Sequence, residues 1–508
     1  MERDRRQLTI PRWAVAATGY ALLIGAWAFA SPPGAAPDEP AHAVRAAAAG
    51  DYQWVGTPVA PYKRTPGLSP EQAEFLNQQT QQFMIPAKLV LADPCFTSEP
   101  DASAACARGA RAPADSTLVP ITTYATTALP FVYVLPGLAM RVEQDVLQPA
   151  YLGRLALGLV CALLLAAAAW AAVRRGSLWP AVGLALAATP MVVFLASSLT
   201  PAGVAVCAAI CFGSAVFALW LDRPRYGHLL LVALSGLALA LTRPSGLAYM
   251  AAVMVAAVPL LRIWFWRPLV LLPFFVAVGG GLIELNWILN HQPSLPVGGL
   301  SVLDALPVVA QRAPDLAGQV VGVFGRTDVP LPPVLATVWE GVVVLLLATA
   351  LVIGRWRDRF ALLLATGAAV LLASAVYSMI LSPLGWDLQG RFVLAPVALI
   401  ALLSGFVVHQ AGLRPRLDAP LVGLAAAGLQ FAAFWVNARR YAVGSSGPLD
   451  FVGVAQWSPP GGWLMWLVVA GLSAALIALS MTPLTAAERE EADGPTLIGD
   501  TGMVSVSR

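Results

Sequence analysis

The residues best suited to chemistry stand together at positions 37–45, which read Pro-Asp-Glu-Pro-Ala-His-Ala-Val-Arg. The second proline suits the first turn of a helix, so Asp38 or Glu39 is expected to cap that helix. If the helix includes these positions, Asp38, His42 and Arg45 share one face. Two adjacent carboxylates raise each other's pKa, which can poise one of them as a general base. The alternative is an ordinary acidic helix cap without a catalytic role.

Three further segments supply arginine, whose planar guanidinium suits bidentate contact with phosphate. They are residues 323–328, 386–392 and 438–444. Each could equally be a turn whose arginine meets solvent or a lipid headgroup.

Other ionisable residues stand near the predicted outer ends of apolar segments: Arg154, Arg243, Glu284, Glu340, Asp387 and Arg391. Charge inside a membrane is costly and usually marks function, so this set predicts a polar vestibule at the outer face. The alternative is that residues at helix ends reach the interface with their long side chains. The predicted helix centres are nearly free of charge, whereas a secondary transporter more often binds its substrate near the midplane.

The elements that must position these residues are predicted to be membrane helices. The chain has 508 residues, of which 58% are hydrophobic and only 12% are charged. A soluble domain carries about 25% charged residues, so the composition indicates a membrane protein. The net charge of +3 gives no reason to expect a nucleic-acid partner.

Twelve segments approach the length of about 20 apolar residues that a spanning helix needs. The sequence therefore predicts an all-α polytopic membrane protein of about twelve helices. The fifth and sixth segments are short and could form a helical hairpin or a re-entrant pair. The segments are residues 13–31, 151–173, 180–199, 202–221, 228–243, 245–262, 268–288, 336–354, 360–381, 392–410, 419–437 and 463–481.

Arginine in the short loops predicts the orientation, with both termini in the cytoplasm. The supporting arginines are Arg3, Arg5, Arg6, Arg12, Arg174, Arg175, Arg223, Arg225, Arg262, Arg267, Arg355, Arg357, Arg359, Arg414 and Arg416. The predicted organisation is a cytoplasmic amino terminus, the first helix, a large extracytoplasmic loop, helices 2–7, a second outer loop, helices 8–12 with a third outer loop, and a disordered cytoplasmic tail. These parts are residues 1–12, 13–31, 32–150, 151–288, 289–335, 336–481 with 438–462, and 482–508.

The first apolar segment starts after a basic run and ends in Ala-Phe-Ala, which resembles a signal-peptide cleavage site. Its length favours an uncleaved anchor. In the loop that follows, residues 121–142 are moderately apolar and broken by prolines, which predicts short helices on the membrane surface. Cys95 and Cys106 in the same loop suit a disulfide in an oxidising compartment, with two free thiols as the alternative.

The histidines lack the spacing of zinc ligands, so no metal site is predicted. The two adjacent carboxylates leave a divalent cation possible, although no complete set of oxygen ligands is present.

Taken together, several motifs resemble the bacterial membrane family called domain of unknown function 2142. The resemblance spans most of the chain and departs from the family pattern at Thr200, where Asn is expected, and at Arg326, where an aromatic residue is expected. The motifs lie at residues 37–42, 151–154, 189–191, 199–201, 243–244, 322–325, 389–392 and 440–444.

That family is similar to membrane glycosyltransferases of the C-type fold, in which a carboxylate after the first helix acts on the acceptor. The resemblance implies a sugar donor on a polyprenyl phosphate, an envelope glycan acceptor, and a site at the outer face of the bacterial cell membrane. It implies Asp38 as the catalytic base with Glu39 beside it. The implied substrate-binding residues are His42, Arg45, Arg154, Arg243, Asp328, Gln389, Arg391, Arg440 and Tyr441.

Two other classes of function stay open. The same arginines would suit a transporter or export partner for polyprenyl-linked glycans, and the chain could also be a scaffold that keeps only the fold. The paired carboxylates and the lack of charge at the midplane favour the enzyme.

Overall fold

A computed structural model of the chain describes residues 10–59, 68–91, 94–97, 99–109, 116–142, 147–173, 178–221, 225–291, 293–413 and 418–482. Parts of the predicted topology fall outside these ranges. They are the amino terminus up to residue 9, the tail from residue 483, and the loop arginines Arg174, Arg175, Arg223, Arg414 and Arg416.

Nine helices in the described ranges are long and apolar enough to cross a membrane. They are α1 (Arg12–Ala30), α5 (Pro149–Ala172), α8 (Pro201–Leu221), α11 (Pro268–His291), α13 (Pro333–Ile353), α14 (Trp356–Val376), α15 (Gly390–Gln410), α16 (Asp418–Val443) and α17 (Gly462–Ser480). A π-helical turn at Tyr377–Leu381 prolongs α14. The other helices are α2 (Glu39–Ala49), α3 (Pro70–Gln79), α4 (Phe131–Met140), α6 (Trp179–Ala187), α7 (Pro190–Ala196), α9 (Tyr226–Thr242), α10 (Ser245–Ala257) and α12 (Val302–Gly322).

The prediction of twelve spans is not confirmed, because the predicted segments 180–199, 228–243 and 245–262 do not form single helices long enough to span a membrane. The segment at 180–199 is two helices, α6 and α7, bent by 64°. Pro190 lies in the first turn of α7, where it cannot donate a hydrogen bond back into α6. At Arg243, in an extended conformation before Pro244, the chain breaks between α9 and α10. Those two helices have 17 and 13 residues, fewer than a spanning helix needs.

The first and last described helices are neighbours in the bundle. A Cβ added to Gly19 of α1 would lie 2.9 Å from Ile477 Cγ1 and 3.1 Å from the Ser473 carbonyl oxygen of α17. A small residue at this point therefore lets the two backbones approach closely. Near the other end of α1, Trp27 is completely buried among three phenylalanine rings of other elements, Phe194, Phe324 and Phe434.

The segments between the spanning helices build a polar layer at one end of the bundle. We call this layer the cap, made of the described parts of 31–148, 293–332 and 444–461. Its strands are β1 (Thr57–Pro58), β2 (Gln81–Pro86) and β3 (Leu118–Thr123), which form an antiparallel sheet, and β4 (Val323–Phe324) and β5 (Val329–Pro330), which form a hairpin. In the sheet, Phe83 of β2 is opposite Ile121 of β3.

The prediction of short helices over residues 121–142 is correct only for its second half. Residues 118–123 form strand β3, because this stretch is rich in β-branched residues and β2 supplies the partner strand. Helix α4 follows from Phe131, directly after Pro130. It packs against α2 so closely that a Cβ on Gly137 would lie 2.0 Å from the Ala46 carbonyl oxygen. Helix α2 is thus held between α4 and the sheet.

Candidate active site

A cavity of about 450 Å³ lies in the cap, within the size range of small-molecule sites. The amino ends of α2 and α15, the end of β3 and the β4–β5 hairpin form its walls. Three of its lining residues carry charge, namely Asp38, Arg326 and Arg391. The full lining is Pro37, Asp38, Pro40, Ala41, Val44, Val90, Leu91, Ile121, Thr122, Thr123, Tyr124, Arg326, Thr327, Gln389 and Arg391.

Asp38 is the acid among these lining residues, and the turn before α2 directs it there. Its φ of 59° lies in the left-handed region, which Asp tolerates better than most residues. The side chain makes no helix-capping hydrogen bond, contrary to the prediction. Instead, Oδ1 accepts from the Tyr124 hydroxyl at 3.0 Å and Oδ2 accepts from Arg391 Nη1 at 3.3 Å. With 41% of its side chain exposed, the carboxylate remains within reach of a ligand.

Glu39, the adjacent carboxylate, is completely buried. Arg154 donates to both of its oxygens, at 2.5 and 2.6 Å. The backbone N–H groups of Gly34, Ala36 and Leu199 donate to the same carboxylate. Arg154 also donates to carbonyl oxygens at the end of α1, those of Ala28, Ser31 and Pro32. This ion pair ties α1, α2 and α5 together, and neither partner lines the cavity.

The prediction that the two carboxylates raise each other's pKa is wrong, because each has an arginine of its own. Burial is the largest single effect at Asp38 and raises the pKa. The charges of Arg391 and His42 and the hydrogen bonds outweigh it, so the pKa of Asp38 lies below its ordinary value. At Glu39, burial is again outweighed, here by Arg154 and backbone N–H groups, and the pKa is lowered. Both groups are therefore ionised at neutral pH.

Helix α2 begins at Glu39 and does not include Asp38, so the condition for a face shared by Asp38, His42 and Arg45 is not met. His42 Nδ1 lies 2.8 Å from the Tyr133 hydroxyl, on the side of α4. The pKa of His42 is lowered to about 4, chiefly by burial; Asp38 opposes this effect, and the charges of Arg243 and Arg391 add to it. The imidazole is therefore neutral at physiological pH.

Arg45 is buried and faces the sheet, with its guanidinium carbon 5.0 Å from the centre of the Phe83 ring. It donates to the carbonyl oxygens of Gln53 and Trp54. Neither His42 nor Arg45 lines the cavity.

The wall formed by α15 carries two polar atoms that have no hydrogen-bond partner within the described residues. They are Arg391 Nε and Gln389 Oε1. Gln389 is the residue before α15, so the positive end of that helix dipole lies at the same wall. Arg391 Nε is buried and unpaired within the described residues, and 21% of the Arg391 side chain is exposed, so this guanidinium can bind a second anion beside Asp38.

A second buried ion pair holds the β4–β5 hairpin. Asp328 Oδ2 lies 3.0 Å from Arg440 Nη2, and Asp328 Oδ1 accepts from the backbone N–H of Arg326 at 2.9 Å. Arg440 also donates to the carbonyl oxygens of Phe96, Glu99 and Ala102. A disulfide joins Cys95 and Cys106, which flank these carbonyls along the chain. Arg440 and Asp328 therefore connect the disulfide loop and α16 to the cavity hairpin.

The remaining predicted residues do not line the cavity. Tyr441 is buried with its ring against Phe96, and Arg243 lies outside the lining, although its charge acts on His42. In α11, Glu284 is buried, and its oxygens make no hydrogen bond in the part of the chain that the structure describes. Asp387 is exposed and pairs with Arg312 at 2.9 Å. Of the arginines predicted to converge on Asp38, Arg391 does so.

No group of three or more histidine, cysteine or acidic residues with the arrangement of metal ligands occurs within the described ranges. Asp38 is the one acid among the described residues of the cavity lining, and the oxygens of Glu39 are turned toward Arg154. The two carboxylates therefore do not fit the paired cation ligands considered from the sequence.

Two residues of the cavity were not among the predicted site residues. Tyr124 binds Asp38 from 86 residues away, and no spacing in the sequence connects the two. Arg326 lies in the segment 323–328, which the sequence analysis considered because it contains an arginine. Gly325 and Thr327 on either side have positive φ values, which are typical of a tight turn.

A sequence model of the family described as "Predicted membrane protein (DUF2142)" matches residues 21–401. None of the curated proteins matches the chain. Among solved structures, the chain is similar to ArnT from Cupriavidus metallidurans bound to undecaprenyl phosphate. The sequence identity is 16%, the TM-score is 0.42, and the match covers 92% of this chain and 76% of that one.

Proposed function

The chain belongs to the DUF2142 family of membrane proteins, and from its cavity we propose that it is a glycosyltransferase. The proposed donor is a sugar on a polyprenyl phosphate, and the proposed acceptor is a hydroxyl of an envelope glycan. The distribution of arginines along the sequence supports a cavity at the outer face of a bacterial cell membrane, with both termini in the cytoplasm.

One observation carries the proposal. Asp38 is a half-exposed, ionised carboxylate that lines the cavity, and it is paired with Arg391, a partly exposed guanidinium whose Nε makes no hydrogen bond within the described residues. Transfer of a sugar from a phosphate leaving group to a hydroxyl requires a proton acceptor beside an anion-binding group. In this cavity Asp38 Oδ2 and Arg391 Nη1 are 3.3 Å apart. The wider C-type fold supports the same assignment through the position of this carboxylate directly after the first helix.

In the proposed reaction, the acceptor hydroxyl donates a hydrogen bond to Asp38. As its oxygen attacks the anomeric carbon, the O–H bond breaks and the proton moves to Asp38. The new carbon–oxygen bond forms as the bond to the phosphate oxygen breaks, and its electron pair stays on the phosphate. Attack from the opposite face inverts the anomeric centre. Arg391 stabilises the charge that develops on the leaving polyprenyl phosphate.

The low pKa of Asp38 fits this role once the donor is bound. In the free protein Arg391 stabilises the carboxylate, which makes Asp38 a weak base. A donor phosphate that binds the same guanidinium offsets its positive charge at Asp38. We therefore expect donor binding to raise the pKa of Asp38 and to strengthen the base when the sugar is in place.

The test is the variant Asp38→Asn, assayed as full-length protein in nanodiscs with labelled polyprenyl-phosphate sugars and envelope glycan acceptors. Loss of a general base lowers the rate by about 10²–10⁴-fold, and we expect a loss in that range. The matched control is Asp387→Asn, an exposed acid near the same helix start that should leave the rate unchanged.

Wild-type turnover by Asp38→Asn would remove this residue from the reaction. If the wild-type protein bound the lipid donor and transferred none of the sugars, a transporter or export partner for polyprenyl-linked glycans would be the better assignment. If it bound no donor, the scaffold reading would be favoured.

A further inference from the structure

Tyr124 follows directly after strand β3 and contributes to the cavity lining. Threonines on both sides hold its backbone in place. The hydroxyl of Thr123 donates to the carbonyl oxygen of Ala41 in α2 at 2.8 Å. The hydroxyl of Thr126 donates to the carbonyl oxygen of Gln79, the last residue of α3, at 2.6 Å. Both threonine side chains are buried, so the cap presents the tyrosine from a fixed segment.

Tyr124 and Arg391 bind different oxygens of the Asp38 carboxylate. The Tyr124 hydroxyl donates to Oδ1 at 3.0 Å, and Arg391 Nη1 donates to Oδ2 at 3.3 Å. Asp38 makes no helix-capping hydrogen bond that would hold its side chain against α2. The tyrosine and the arginine therefore fix the orientation of the carboxylate from opposite ends.

In the proposed reaction, binding of the donor changes this arrangement at one oxygen. The donor phosphate competes with Asp38 Oδ2 for the guanidinium of Arg391. The hydrogen bond from Tyr124 to Oδ1 does not involve that guanidinium, so it remains in place. Oδ2 is then the oxygen that is open to the acceptor hydroxyl, and Tyr124 is the group that still orients the carboxylate.

We propose that Tyr124 is a positioning residue, which holds Oδ1 of Asp38 so that Oδ2 receives the proton of the acceptor. This inference rests on the proposed function. In the transfer step the O–H bond of the acceptor breaks and its proton forms a bond to Oδ2, while Tyr124 keeps its own proton. A base that is held in line with the proton it removes is more effective than one that can rotate, because the entropy of alignment is lost before the reaction starts.

The test is Tyr124→Phe, assayed as full-length protein in nanodiscs with the same labelled polyprenyl-phosphate sugars and envelope glycan acceptors. This variant keeps the aromatic ring and removes the hydroxyl. Loss of a hydrogen bond to a charged group corresponds to about a tenfold effect, so we expect kcat to fall about 10-fold. The KM for the donor should not change, because Tyr124 acts on the base and not on the bound lipid.

The pH dependence of kcat gives a readout that a purely structural role would not change. Burial raises the pKa of Asp38, and the charges of Arg391 and His42 together with the hydrogen bond from Tyr124 outweigh it. Since that hydrogen bond favours the ionised form, Tyr124→Phe should raise the pKa of Asp38. Asp38 acts as a base only when it is ionised, so the fall of kcat on acidification should begin at a higher pH.

A second variant carries 3-fluorotyrosine in place of Tyr124. Its more acidic hydroxyl donates a stronger hydrogen bond to the carboxylate, so the fall of kcat should begin at a lower pH than in the wild type. This variant keeps both the ring and the hydroxyl, and it provides the test if Tyr124→Phe fails to fold.

Two controls make the test specific. In an Asp38→Asn background, Tyr124→Phe should cause no further loss of kcat, because Tyr124 acts through the carboxylate. Tyr226→Phe removes an exposed hydroxyl at the first residue of α9 and should leave kcat and its pH dependence unchanged. Thermal unfolding of each variant shows whether the protein is folded.

The outcomes separate this inference from the proposed function. If the wild-type protein transfers no sugar, the proposed function fails and this inference fails with it. If the wild type is active and Tyr124→Phe keeps its kcat and pH dependence, this inference is wrong while the proposed function stands. The same conclusion follows if Tyr124→Phe causes an equal loss in the Asp38→Asn background.

Discussion

Asp38 and Glu39 are neighbours in the chain, and each is paired with an arginine from a distant helix. Asp38 is 41% exposed and its partner Arg391 is 21% exposed, whereas Glu39 and Arg154 are sealed from solvent. The contacts of Glu39 within the described residues join α2 to Arg154 of α5, to the turn before α2 and to the turn before α8. Around Asp38 the contacts leave room for a ligand.

Two adjacent residues of the same chemical type thus have different surroundings in this protein. A single backbone conformation accounts for the difference. The left-handed φ of Asp38 places its side chain at the cavity wall, and the next residue starts a helix and points inward. The proposed site lies where this backbone conformation is combined with a guanidinium whose hydrogen bonds are incomplete within the described residues.

The variant Glu39→Gln tests whether the buried pair of Glu39 and Arg154 stabilises the fold. Removing one partner of a buried ion pair typically costs about 3–5 kcal/mol, because the other charge is left uncompensated. We expect a large drop in the thermal unfolding temperature, or loss of folded protein on purification. If Glu39→Gln were as stable as the wild type, the buried ion pair would not be what holds α1, α2 and α5 together.

Asp328→Asn tests whether the hairpin depends on its ion pair with Arg440. Hydrogen bonds to charged groups contribute about 1.5–3 kcal/mol, so we expect a loss of that size in the free energy of unfolding. Asn keeps an oxygen for the Arg326 backbone N–H, which isolates the effect of the charge. Asp315→Asn, at an exposed position on α12, is the control and should stay within about 0.5 kcal/mol of the wild type.

The burial of His42 is expected to make the stability of the protein depend on pH. Its pKa is lowered from 6.5 in the unfolded chain to about 4 in the folded protein. Between these values the unfolded state binds the proton and the folded state does not, so stability falls as the pH is lowered from 6.5 to 4. His42→Gln should flatten this part of the plot of unfolding temperature against pH. An unchanged slope would show that His42 does not titrate in this way.

The smallest expected effect is that of Asp38→Asn on stability. Partly exposed ion pairs contribute about 0–1 kcal/mol, and Asn tolerates the left-handed conformation as Asp does. We expect the free energy of unfolding to change by less than about 1 kcal/mol, while transfer is lost. A destabilisation as large as that of Glu39→Gln would place Asp38 with the scaffold.

The sequence was sufficient to predict a polytopic helical membrane protein, and it selected the segment around Asp38, which the structure places in the cavity lining. Runs of apolar residues and the residues that follow them are local properties. The number of spans was not predictable in the same way, because a proline such as Pro190 divides an apolar run without changing its hydropathy.

Partners in the site depend on tertiary contacts that no local pattern reports. Asp38 meets Arg391 across 353 residues and Tyr124 across 86. Arg154 and Arg440 were expected to bind substrate. In the structure each binds a carboxylate and backbone carbonyl oxygens of the protein itself. An arginine that will bind a ligand and one that will bind carbonyl oxygens look alike until the carbonyl positions are known.

The contact between α1 and α17 has a consequence for how the protein is made. Translation delivers α1 to the bilayer first and α17 last, so the surface around Gly19 has no permanent neighbour for nearly the whole of synthesis. In that interval lipid or the insertion machinery must cover it. A chain stopped before Ser473 would leave that groove open, giving cellular quality control a feature by which to distinguish unfinished copies from finished ones.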